Sequence, residues 1–188
     1  MVVYWFIIVS FILAGVAQTL WLRSRFSRRF AQPVDRGATW RGRRIFGDNK
    51  TWKGFVVMIP AVGISFLAVR CFYALHTSWF DQLWPYSLPI YLLLGCTAGL
   101  GYALGELPNS FIKRQLDIQP GQIASSRLGE WVNFCIDQID SVVGALLALL
   151  PFVHIPWQTA LAILLTGPVM HWLFNIVLKL LGVKARAG

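Results

Sequence analysis

Negative charge is scarce in this chain: eight Asp and Glu stand against seventeen Lys and Arg, and charged residues of both signs make up only 13%. A net charge of +9 would suit a nucleic-acid partner, but zinc spacing, a basic heptad and an RNP-like motif are all missing, and apolar runs interrupt the basic residues. No nucleic acid is expected. Anionic lipid or nucleotide phosphate is the better match for the excess positive charge. The three cysteines, Cys71, Cys96 and Cys135, form no CxxC pair and lie in or beside apolar segments, so they read as small apolar residues and say nothing about redox compartment. His76, His154 and His171 are scattered without metal or triad spacing, which leaves them interfacial or packing roles. A histidine-based hydrolase, a thiol nucleophile and a Walker-type glycine loop therefore cannot be assembled.

Apolar surface is what the chain has in excess. Of its 188 residues 56% are hydrophobic, and the mean hydropathy is +0.59, outside the range of an ordinary soluble domain. The expected fold class is an all-α polytopic membrane protein, a single domain over 1–188 with about five transmembrane helices and two cytoplasmic loops that form the site. The spans fall at about 2–22, 54–75, 87–105, 134–153 and 157–181; the loops are 23–53 and 106–133. The first run reads as a retained span, because cations follow it, whereas a signal peptide has a basic leader and a shorter apolar core. Tyr4, Trp5 and Trp21 near its ends suit the headgroup level. Sixteen of the seventeen Lys and Arg residues lie on one side of this arrangement or at its border. The positive-inside rule then makes this a multi-pass protein of the cell membrane with its N-terminus outside and its C-terminus cytoplasmic. Arg70 is the exception, expected to snorkel to the outer interface or to pair within the bundle. Gly95, Gly99, Gly101 and Gly105 give the third span two overlapping small-xxx-small pairs, suited to close packing in the bundle or across a homodimer, with both open. Pro108, Pro120 and Gly121 predict a short helix around Asn109 to Leu116 followed by a loop, and Pro168 predicts a kink in the last span.

Two stretches carry chemistry. In the first loop, Gly47-Asp48-Asn49-Lys50-Thr51-Trp52-Lys53-Gly54 combines glycines and a turn-forming Asp-Asn pair with a helix start near Gly54, so backbone N–H groups and a positive helix end can approach an anion. Its plainer reading, and that of Arg23 to Arg29, is a juxtamembrane belt for anionic headgroups. The second stretch runs from Glu106 to Asp140. Lys113 and Arg114 suit anionic phosphates, while Asp137 and Asp140, spaced i and i+3, share a helix face and suit a divalent cation. Glu106, at the end of the third span, can approach the same place. The alternative is that the two aspartates pair with Lys113, Arg114 or Arg127 and only mark a helix start.

In order along the chain, Gly47 to Gly54, Ser110-Phe111-Ile112-Lys113-Arg114, and Asp137-Gln138-Ile139-Asp140 followed by Gly144-Ala145 resemble the signature of the CDP-archaeol synthases, relatives of the CDP-diacylglycerol synthases. The resemblance implies transfer of a cytidylyl group from CTP to a membrane lipid phosphate, releasing pyrophosphate, with Mg2+ as the usual divalent ion. It makes Asp137 and Asp140 the metal acids and Lys113 and Arg114 the basic pair near the phosphates. Asp48, Lys50, Lys53 and Ser110 join Arg114 as substrate-binding residues, Asp137, Asp140 and Lys113 are the catalytic set, and Glu106 holds a metal or a water. Three departures stand out: Gly105-Glu106 where the family commonly has Gly-Asp, a longer connection from Gly121 to Phe134, and Gln119-Pro120 where the diacylglycerol branch carries Lys-Asp. The last favours the archaeol-type branch, with ether-isoprenoid and ester-acyl tails both open. Two other readings are a CTP-dependent polyprenol kinase and a non-catalytic membrane scaffold or lipid-binding subunit.

Overall fold

The computed structural model describes residues 1–75, 82–118 and 127–182, the last stretch as backbone alone up to residue 132. Among these residues the protein is mostly helical. The helices are α1 (Val2–Arg23), α2 (Trp52–Ala74), α3 (Leu88–Gln115), α4 (Arg127–Leu149) and α5 (Trp157–Leu180). Each has at least 22 residues, and roughly 20 are needed to cross about 30 Å of hydrocarbon. α1, α2, α3 and α5 are long and apolar enough to span a membrane. α4 differs because Asp137 and Asp140 lie in its path, and only beyond Asp140 does it run apolar.

α3 is the central helix, and glycine explains how it packs on both sides. A methyl group built on Gly95 or Gly99 would come within 2.6 and 2.5 Å of the Val62 and Met58 carbonyl oxygens of α2. On the opposite side, one on Gly101 or Gly105 would come within 2.4 Å of the Gly144 and Asp140 carbonyls of α4. Both small-residue pairs are thus used inside the bundle, where backbone meets backbone. The core centres on Phe6, whose ring meets Phe66 and Tyr91 edge-on at 4.9 and 5.6 Å. Arg70 turns into the bundle, the second of its two expected placements. It is 4% exposed, with its guanidinium 5.0 Å from the Tyr91 ring centroid.

Several local expectations are corrected. The short helix at Asn109 is not separate: α3 runs unbroken through Pro108 to Gln115. The missing proline N–H leaves the Leu104 carbonyl without its i+4 donor, and both residues are exposed, so the loss falls on the outer side of the helix. α4 begins at Arg127, which puts Asp137 and Asp140 in its third and fourth turns and not at a helix start. The first loop has a fold of its own. A 3-10 turn over Phe26–Phe30 leads to a hairpin of β1 (Thr39–Trp40) and β2 (Arg43–Arg44), its tip formed by Arg41 and Gly42 at φ 52° and 78°. Pro168 lies inside α5, as its place in the last span implies. His76, Gln119, Pro120, Gly121, Lys184, Arg186 and the Arg127 side chain lie outside the described residues.

Candidate active site

The first loop is organised by a residue that sequence reasoning passed over. Asp35 is buried, and its carboxylate accepts N–H bonds from Gly37, Phe46 and Gly47 at 3.1, 2.9 and 3.0 Å and from the Arg44 guanidinium at 2.7 Å. Burial pushes this carboxyl up, but Arg44 and the three backbone N–H groups more than offset it and hold it well below the usual carboxylate range. Gly47, at φ 86°, makes the turn that aims its N–H at Asp35, so that N–H serves the loop's own fold. The chain then pairs with itself, Val34 N donating to the Lys50 carbonyl at 2.8 Å and Trp52 N to the Gln32 carbonyl at 3.1 Å. α2 starts two residues after Lys50, so the lysine is fixed on both sides.

From that position the Lys50 ammonium donates to the Glu106 carboxylate on α3. Partial burial disfavours the lysine's charge. The carboxylates of Glu106, Asp140 and Asp137 outweigh this and hold the ammonium above the usual lysine range. Glu106 also accepts from Ser141 Oγ of α4 at 3.0 Å, and Ser141 N donates to Asp140 at 2.6 Å. One turn further along α3, the Asn109 amide nitrogen donates to Asp137 Oδ1 at 2.6 Å and to Asp140 Oδ2 at 2.9 Å. Both aspartates therefore converge on one point. Lys113, another turn on, donates to the two Asp137 oxygens at 2.5 and 2.6 Å.

The expected residues separate into two groups. Glu106, Lys50, Lys113, Asp137 and Asp140 come together, joined by Asn109 and Ser141, which were given no role in the sequence reading. Neutral polar residues carry no charge anomaly in an apolar chain, and only the i, i+3 and i, i+4 spacing to Glu106 and Asp137 could have flagged them. The others turn elsewhere. Arg114 is 8% exposed and donates to the Phe46 carbonyl at 3.2 Å and to the Ile118 carbonyl, tying the loop to α3. Ser110 Oγ donates within its own helix to the Glu106 carbonyl at 2.8 Å. Asp48 is exposed and pairs with Arg44 at 2.8 Å, and Lys53 lies half-buried in the first turn of α2. Arg43 reaches Asp117 at 2.6 Å and reinforces the seam between loop and α3.

Among the described residues no three His, Cys, Asp or Glu side chains gather closely enough to form an all-protein metal cage. The donor set nevertheless suits Mg2+, which is held by one or two carboxylates while water and substrate phosphates complete its shell. Asp137 and Asp140 already direct oxygens at a shared donor, the Asn109 amide nitrogen.

Beside this cluster a partly open cavity runs between α1, α3, α4 and α5. Its walls are mainly apolar, among them Ile8, Phe11, Val142, Leu146 and Phe174, and Glu106 and Tyr102 also line it. Tyr102 OH is 3.4 Å from His171 Nδ1 across it.

An ionic cluster beside an apolar cavity among membrane-length helices defines a multi-pass membrane protein. A solved structure described as an intramembrane enzyme for archaeal membrane lipid biosynthesis shares this fold, with a TM-score of 0.59 over 90% of this chain and 92% of that one, at 20% identity. A family model described as CarS-like CDP-archaeol synthase matches residues 24–186. The CDP-archaeol synthase of Methanospirillum hungatei is 38% identical over 162 residues, covering 81% of this chain and 87% of that protein. That of Pyrococcus furiosus is 34% identical over 148 residues, with 77% of each chain covered. The chain belongs to the CDP-archaeol synthase family.

Proposed function

We propose that the protein transfers a cytidylyl group from CTP to a membrane lipid phosphate of the archaetidic-acid kind, giving a CDP-activated lipid and pyrophosphate. The observation that carries this reading is Glu106, which lines the apolar cavity and at the same time bonds Lys50 within the ionic cluster. A lipid with its tails in the cavity would bring its phosphate to the charges. Asp137 and Asp140 hold Mg2+, which when bound neutralises charge developing on the phosphates. Lys113 and Lys50 neutralise phosphate oxygens, Lys113 turning from Asp137 to do so. Glu106 positions Lys50 and a water. A lipid phosphate oxygen attacks the α-phosphorus, forming the new P–O bond as the bond to the β-phosphate oxygen breaks, and pyrophosphate leaves with that electron pair. No side-chain nucleophile takes part.

The charge bias of the sequence supports an outside N-terminus and a cytoplasmic C-terminus, with α4 as a fifth span. The position of the label in CTP tests the reaction. Purified protein in lipid with a dialkylglycerol phosphate is expected to make labelled CDP-lipid from α-labelled CTP and no labelled lipid from γ-labelled CTP. Lipid labelled from γ-CTP would instead indicate a kinase, and no product from either label a scaffold.

A further inference from the structure

Gln138 stands between the two metal-site aspartates and serves neither. It is 4% exposed, and neither its Nε2 nor its Oε1 has a hydrogen-bond partner among the described residues. Buried amides are nearly always satisfied, and one with both ends unmet weakens the fold unless something else provides the bonds. Its place on α4 narrows what that is. Gln138, Ser141, Val142 and Ala145 follow i, i+3, i+4, i+7 spacing and share a helix face. Val142 and Ala145 wall the apolar cavity, and Ser141 bonds Glu106, which also lines it. Gln138 extends that face by one turn toward the ionic cluster, beyond the last apolar wall residue. The amide thus lies one helical turn from the cavity wall at Val142, on the side of the carboxylate pair.

We infer that Gln138 is the residue that binds the phosphate end of the lipid substrate, its Nε2 donating to a phosphate oxygen. The inference rests on the lipid-phosphate reading above. A neutral amide suits this position better than a lysine would. It gives N–H donors to an arriving anion, yet in the ligand-free state it places no unpaired charge on the cavity side. Oε1 then accepts from water carried in with the phosphate. CTP, whose charged phosphates meet Lys50 and Lys113 at the cluster, does not require this residue.

Gln138→Met, which keeps the length and removes both polar atoms, separates the possibilities, with Gln138→Leu as a second apolar variant. Thermal unfolding midpoints are measured in micelles of dialkylglycerol phosphate and of the same dialkylglycerol without phosphate, with no CTP present. The wild type is expected to unfold at higher temperature in the phosphate lipid. The variants lose that difference, while their midpoints in the phosphate-free lipid are unchanged or raised. In the transfer assay the lipid-phosphate KM rises about tenfold, as for one lost hydrogen bond to a charged group, and the CTP KM changes by less than about twofold. A wild type indifferent to the phosphate, variants that keep the difference, a fall in the phosphate-free midpoint, or a CTP KM that moves instead would each overturn the assignment. If the wild type is stabilised by the phosphate lipid but makes no CDP-lipid from α-labelled CTP, the transfer reaction fails and the role of Gln138 stands.

Discussion

Lys113 and Arg114 are adjacent on α3 and face different partners, so their removal should have different consequences. Arg114 is buried against the carbonyls of Phe46 and Ile118, and Arg114→Ala would strand them and loosen the loop, costing about 1–3 kcal/mol in a denaturation experiment. Lys113 and Asp137 both keep some solvent contact, and Lys113→Ala should cost under about 1 kcal/mol of stability while CDP-lipid synthesis falls sharply. Parallel unfolding and kinetic measurements on the two variants check this, and equal stability losses would count against it. Asp137 and Asp140 could be picked out from the sequence because ionised groups in an apolar run demand a partner. Asp35 could not. One of two acids among ten loop cations, it looks like a counter-ion until the N–H groups that converge on it are seen.

Between elements, the loop and the α3–α4 seam each yield a test. Asp35 titrates in the folded protein below its unfolded value of about 3.9, so its contribution to stability is present above about pH 4 and is lost as pH falls toward the folded value. Asp35→Asn should therefore unfold at lower temperature than the wild type at pH 7, and the gap should close below about pH 4. A gap that stays constant with pH would mean that the charge is not what holds the loop. At the seam, Gly144→Ala puts a methyl group 2.2 Å from the Gly101 carbonyl oxygen and must push α3 and α4 apart. A loss of about 1–3 kcal/mol is expected, with a larger loss of activity, because Asn109 and the aspartates face each other across the same seam. Unchanged stability and turnover would show that the seam is loose. The helices were legible because membrane-length apolar runs admit little else, and the glycine spacing indicated close packing. The passage of α3 through Pro108 was not, since it depends on which side of the helix loses a hydrogen bond, and that is set by the packing of the whole bundle.

For the molecule as a whole, the proposed reaction rests on one boundary, where Glu106 joins an apolar cavity to a carboxylate pair flanked by lysines. The sequence supplied both sides of that boundary as separate motifs, but their meeting through Glu106, Asn109 and Ser141 required the fold. Asp137→Asn and Asp140→Asn remove the charge that a hard divalent ion needs and leave the size unchanged. The most direct measurement is formation of CDP-lipid from α-labelled CTP and a dialkylglycerol phosphate across a magnesium titration, with thermal stability followed on the same preparations. The wild type should make CDP-lipid in proportion to magnesium occupancy, and each aspartate variant should remain folded while losing at least about a hundredfold in rate. Folded variants that respond to magnesium and make CDP-lipid at the wild-type rate would contradict the assignment of the reaction to this pair.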